Sequence, residues 1–122
     1  MGEKVEYSFY KLDVWNLGMG LVKNIYLITK KFPSEEKFAL TSQLRRAAVS
    51  VPLNIAEGSG KWTKHDFANF IRIAIGSLME VITCLEISLD QKYINLVDYN
   101  RLHAIIQELY FKLIHLDKYL RK

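Results

Sequence analysis

The sequence is poor in residues that staple or interrupt a fold. Among 122 residues there are one cysteine, two prolines and six glycines. A lone Cys84 excludes an internal disulfide and a thiolate metal cluster, and its neighbours in "MEVITCLEISL" are those of a buried, inert thiol. Apolar runs are only a few residues long, well short of the roughly 18 that span a bilayer, so no membrane segment is predicted. The start "MGEKVEYSFYKLDVW" lacks the apolar stretch of a signal peptide, and Glu6 stands where a myristoylation pattern needs Ser or Thr. The expectation is a cytoplasmic protein.

Neither sign of charge is missing. Lys and Arg number 17 against 13 Asp and Glu, a net charge of +4, and half the residues are hydrophobic. These are globular proportions, and a chain of this length builds one core, so residues 1–122 are expected to form a single domain. The mild basic excess favours acidic partners without requiring them.

The apolar spacing is helical throughout, broken at "KKFPSEE", at "EGSGKW" and more weakly at "DQKYINLVD". In the first segment Leu12, Trp15, Met19, Val22 and Tyr26 make one stripe, and Val14, Leu21, Ile25, Ile28 and Phe32 a second. In the second, Ser34 is the expected N-cap, Glu35 and Glu36 favour the positive helix end, and Gly58 is read as the C-terminal stop. The third opens on the capping pattern "TKHD" and is apolar on most sides. The fourth carries Tyr99, Leu102, Ile106, Leu109, Leu113, Leu116 and Leu120 in alternating steps of three and four, a bundle seam. The prediction is an all-α, antiparallel up-down-up-down four-helix bundle with helices over about 11–32, 35–57, 64–91 and 98–120. Its apolar arcs exceed what one small bundle covers, which predicts self-association.

Pro52 lies inside the second helix, where it removes a backbone hydrogen bond to Ala48, so a kink is expected there. Beside it Gln43, Arg46, Ser50, Asn54 and Glu57 form a polar stripe, as do Arg72, Gly76, Glu80 and Thr83 on the third helix. Folding the two as a hairpin brings Arg46 within reach of Glu80, and Ser50 and Asn54 near Arg72. Such a cluster is either a ligand site or a structural network that sets helix register. No nucleophile with a neighbouring base is visible in it, so Arg46, Ser50, Asn54, Glu57, Arg72 and Glu80 are assigned to a structural network and no catalytic residue is expected. His103 and His115 are about 18 Å apart along one helix, and no Glu-x-x-His pair occurs, so neither a metal site nor a cofactor is expected.

The antiparallel order collects Lys4, Lys11, Lys61, Lys64, His65, Lys118, Arg121 and Lys122 at one end, against Glu3, Glu6, Asp13, Asp66 and Asp117. The other end is nearly balanced. Trp62, Tyr10 and Tyr119 interleave rings with these cations, a pattern suited to phosphates and unpaired bases. Trp62 has a second reading, as an apolar staple holding the turn to the core. The residues assigned to nucleic-acid contact are Lys11, Lys61, Trp62, Lys64, His65, Lys118, Arg121 and Lys122.

The stretches "LDVWNLGMGLV", "FPSEEKFALTSQLRRAAVSVPLNIAEGSG" and "DFANFIRIAIGSLMEVITCLEIS" resemble the bacterial four-helix bundle family of proteins encoded in 23S rRNA intervening sequences. The likeness runs from Lys11 to Leu89, and "QLRRAAVSVPLNIAEG" followed by "GSLMEV" is its most specific part. The family's pattern falls on Arg46, Pro52, Asn54, Glu57, Gly58, Gly76, Ser77 and Glu80. The resemblance implies a non-enzymatic homopentamer. It is related to the accessory variability determinants of diversity-generating retroelements, which bind nucleic acid and a reverse transcriptase through a basic barrel. This chain departs from that branch in its modest charge. The expected function is a homo-oligomeric scaffold or adaptor that binds RNA or DNA, with a purely structural protein-interaction module as the alternative.

Overall fold

The computed structural model describes residues 2–122. Its chain forms four helices, α1 (Asp13–Thr29), α2 (Leu40–Ser59), α3 (Lys64–Asp90) and α4 (Leu96–Leu120), with short 3-10 turns at Ser8–Lys11 and Ser34–Glu36. Contacts between neighbours establish the antiparallel order. The Arg45 side chain near the start of α2 donates to Thr29 at the end of α1, at 2.8 Å. Gln43 near the start of α2 reaches Glu80 in the second half of α3. Arg121 at the end of α4 donates to Asn69 near the start of α3, at 3.1 Å. Lys112 of α4 pairs with Asp13 of α1, closing the bundle.

The core is drawn from the apolar residues that the helical spacing singles out. Val14, Leu21, Ile25, Ile28 and Phe32 are all buried, whereas Met19 and Tyr26 on the other α1 stripe are exposed. The α4 seam buries Leu102, Ile106, Leu109, Leu113 and Leu120. Each large aliphatic side chain withdrawn in this way contributes about 1.5–3 kcal/mol against conformational entropy.

The first helix is shorter at both ends than the expected 11–32, and the other boundaries differ from expectation at three places. First, α2 begins at Leu40 instead of residue 35, and Ser34 caps nothing, since it lies in a separate 3-10 turn. Glu36 still serves the helix start from outside, accepting from the Leu40 N–H at 3.4 Å. Second, Gly58 does not stop α2. It is buried within the last turn, where a Cβ would come 2.7 Å from Cβ of Phe70 in α3. Gly58 therefore sets how closely α3 approaches. Third, α4 starts at Leu96, because Asn95 caps it by accepting from the Asp98 N–H at 2.7 Å.

The capping pattern of α3 is as expected: Thr63 Oγ1 accepts from the Asp66 N–H at 3.0 Å. Its far end closes in a Schellman arrangement, with Tyr93 N–H bonding Ser88 C=O at 2.9 Å and Lys92 N–H bonding Leu89 C=O at 3.0 Å. Lys92 occupies the left-handed position with φ of 63°, where a glycine would sit without cost. The α2 helix continues through Pro52, which is buried.

Candidate nucleic-acid interface

The α2–α3 connection is a tight turn: Gly60 N–H bonds Glu57 C=O at 3.2 Å and Lys61 N–H bonds Gly58 C=O at 3.1 Å. Trp62 follows at the apex and is fully exposed, at 100 % of its accessible surface. The staple reading of Trp62 is thereby overturned, because the ring packs against nothing. The core is sealed beneath the turn by Phe67 and Phe70 against Gly58, which leaves Trp62 no gap to fill.

The lysines on either side of Trp62 in sequence rest on other rings. Lys61 Nζ lies 4.9 Å from the centre of the Phe70 ring, and Lys64 Nζ lies 5.1 Å from that of Tyr119 in α4. The second contact joins the start of α3 to the end of α4, so the turn and the chain's last residues share one end of the bundle. His65, Lys118 and Lys122 are exposed there, and Lys64 sits at the positive end of α3. Arg121 is partly committed: Asp117 accepts from its Nε at 2.9 Å and Asn69 from its guanidinium at 3.1 Å. Lys11 is exposed in the first 3-10 turn. The Tyr10 ring is engaged, packing 5.5 Å from Trp15 and 5.1 Å from Phe9, so it stands in an aromatic cluster and not beside Trp62.

The polar network beside Pro52 differs from the one expected. Arg46 does not pair with Glu80: Gln43 takes that carboxylate, and the exposed Arg46 guanidinium donates to Gln43 Oε1 at 3.5 Å. Gln43 lies one turn closer to the start of α2, which in an antiparallel pair places it nearer Glu80. Arg72 does not approach Ser50 or Asn54 either. It faces α4, with Nε 3.2 Å from Asp117 Oδ1, and Asp117 thus bridges Arg72 and Arg121. Ser50 and Asn54 do form a network, but with Ser77: the Ser50 and Ser77 hydroxyls are 2.8 Å apart, and Asn54 Nδ2 donates to Ser50 Oγ at 2.9 Å and Ser50 C=O at 2.8 Å. Glu57 is exposed on α2, outside this network.

Asn69 was missed by reading the sequence, and Gln43 and Asp117 were placed on the stripe and at the basic end without the partners they take. The Asp117 and Arg121 spacing of four was a visible signal for an ion pair on α4.

Among the described residues every buried side-chain polar atom has a partner, no group of three His, Cys, Asp or Glu could hold a metal ion, and no helix is long and apolar enough to cross a membrane. Burial pushes the Cys84 thiol up from its ordinary pKa, with Glu80 adding to the effect, so the thiol stays protonated near neutrality. A groove of about 640 Å³ lies on the outer face of α1 and α2 between Tyr26, Phe38, Arg45, Val49 and Leu53. Phe38 is 90 % exposed at its edge.

Among curated proteins no match is found. Among solved structures, the chain is similar to a crystal structure from Bacteroides thetaiotaomicron of a protein of unknown function from the S23 ribosomal protein family. That chain is 25 % identical and superposes with a TM-score of 0.80, over 86 % of this chain and 98 % of the other. Residues 10–115 match the family described as 23S rRNA-intervening sequence proteins, a span that holds all of α1, α2 and α3 and most of α4. With the bundle, the Pro52 helix and this match in agreement, the chain belongs to the 23S rRNA-intervening sequence protein family.

Proposed function

We propose that this protein is a non-enzymatic, homo-oligomeric scaffold or adaptor of the cytoplasm that engages RNA or DNA through the basic end of the bundle. The observation that carries the reading is Trp62, fully exposed at a turn whose flanking Lys61 and Lys64 are held by ring contacts. Placing an indole in water forfeits its burial energy, and a nucleic-acid base recovers it. Lys11, His65, Lys118, Arg121 and Lys122 extend the phosphate-attracting surface. The exposed apolar groove on α1 and α2 supports self-association, and the family resemblance suggests a homopentamer, which would repeat the basic end around an axis. In the adaptor reading a reverse transcriptase or another protein is the second partner.

Fluorescence anisotropy with a structured RNA and a DNA oligonucleotide, each at low and physiological salt, tests the reading. Binding that weakens steeply with salt supports it, and absence of binding at both salts overturns it.

The exposure of Phe38 and the groove beside it favour a second reading, a protein-interaction module without nucleic acid. A partner retained in a pull-down after nuclease digestion would favour this one.

A further inference from the structure

We propose that the α2–α3 turn recognises unpaired nucleotides, with the Trp62 indole as the platform on which a base stacks. The inference rests on the basic end being a nucleic-acid surface and specifies what that surface reads.

The two tryptophans of the chain make the contrast. Trp15 is half-buried, its ring 5.1 Å from Phe9 and 5.5 Å from Tyr10. Trp62 has both faces free. A base pair inside a duplex offers its flat faces only to its stacked neighbours, so a protruding indole finds a complementary face only where a strand is unpaired. The Lys61 and Lys64 ammonium groups lie 4.9 Å from the Phe70 ring and 5.1 Å from the Tyr119 ring, flank the indole on either side in sequence and supply positive charge for the phosphates of a strand passing over it. Tyr119, 58 % exposed and beneath Lys64, provides a second ring at the same end of the bundle. Asp66 is the one acid in the first turn of α3, set against Lys61 and Lys64 on either side of Trp62 in sequence. The chemistry recognised is a base face with adjacent phosphates, which single-stranded RNA and single-stranded DNA share.

The test uses the full chain with a single-stranded RNA, a single-stranded DNA of the same sequence, and the duplex of each. The expected result is preference for the single strands, with W62A weakening them about 5- to 150-fold while leaving duplex binding nearly unchanged. W62F should restore most of the affinity, since a ring remains. Trp62 touches no core residue, so W62A should melt as the parent does, and a matching melting curve makes the loss interpretable. Tryptophan emission should fall on adding single strands to the parent and not to W62A, where only Trp15 remains. Tighter binding of RNA or of DNA supports the proposal and identifies the source, and equal binding supports it as recognition of the chemistry the two strands share.

W62A binding single strands as tightly as the parent overturns this inference while leaving the basic-surface reading in place. Parent protein that binds no nucleic acid at low salt overturns both. Protection of Trp62 from iodide quenching in the free protein would show the ring covered by another copy, and would also overturn the inference.

Discussion

Pro52 of α2 packs its ring onto Gly18 of α1: a methyl group at residue 18 would lie 3.3 Å from Pro52 Cβ and 3.4 Å from Pro52 Cδ. The side of α2 that lacks a backbone N–H is thus the side on which a flat ring meets a bare glycine, and α1 closes over it. The opposite approach, α3 against α2, is set by Gly58 against Phe70.

Three alanine substitutions separate glycines needed for packing from one that is not. Gly76 is exposed with nothing within 4 Å of an added Cβ, so G76A should raise stability by up to about 1 kcal/mol through helix propensity. G18A meets a rigid ring at slight overlap and should be close to neutral. In G58A the contact of 2.7 Å forces α2 and α3 apart, and overpacking of about 1–3 kcal/mol outweighs the propensity gain. Melting temperatures should fall in the order G76A, G18A, G58A, with the last below the parent. A G76A chain that melts lower would place Gly76 against another copy.

The Ser50 and Ser77 hydroxyls tie α2 to α3. S77A leaves Ser50 bonded to Asn54 and should cost about 0.5–1 kcal/mol, whereas S50A removes the shared oxygen and should cost about 1–2 kcal/mol. The double variant should lose less than the two singles together, because the second change no longer strands a partner. Urea denaturation of the four proteins checks the cycle.

Asp117 holds Arg72 and Arg121 on a largely shielded carboxylate. D117N should cost about 1 kcal/mol, discounted because the Arg72 side chain is 59 % exposed. The same change frees positive charge at the basic end. Nucleic-acid affinity should therefore rise, with a steeper salt dependence, even as the melting temperature drops. Anisotropy at several salt concentrations reads the slope.

Lys92 pays for its left-handed φ of 63° at the end of α3. K92G should raise stability by about 1 kcal/mol, since the Schellman hydrogen bonds stay and the Cβ clash goes. Thermal melting checks it.

Stability should hold near neutral pH and fall in the alkaline range. Tyr93 donates to Glu36 at 2.9 Å and Tyr99 donates to Glu86, and each hydrogen bond pushes its phenol above the ordinary tyrosine pKa. Asp13 and Glu108 push Lys112 up likewise. All three groups hold their protons more tightly folded than unfolded. Their contribution is complete below the unfolded pKa, about 10, and is lost as pH rises through the folded values. Melting temperature measured from pH 7 to 11 should drop above about pH 10, and Y93F/Y99F should flatten that drop.

The core was legible because burial follows a period. Leu102 to Leu113 on α4 and Leu21 to Ile28 on α1 are buried where the three-four spacing places them. The Thr63 cap was legible for a related reason, since a cap is local chemistry over four residues. Polar partners were not legible. Arg72 can point to α2 or to α4 depending on a modest rotation of α3 about its axis, and a long side chain reaches several turns, so register alone chose the wrong partners for Arg46 and Arg72.

The sequence by itself determined that four amphipathic helices would form, which residues they would bury, and that cations would gather at the end where α2 turns into α3. These follow from local periodicity and from the short connections that make neighbours antiparallel. Tertiary structure alone decided that α2 starts only at Leu40, that Gly58 is a contact and not a stop, that Gln43 answers Glu80, and that Trp62 stands in solvent. Each of those depends on how close and at what rotation two helices pack, a property shared between elements and written in neither of them.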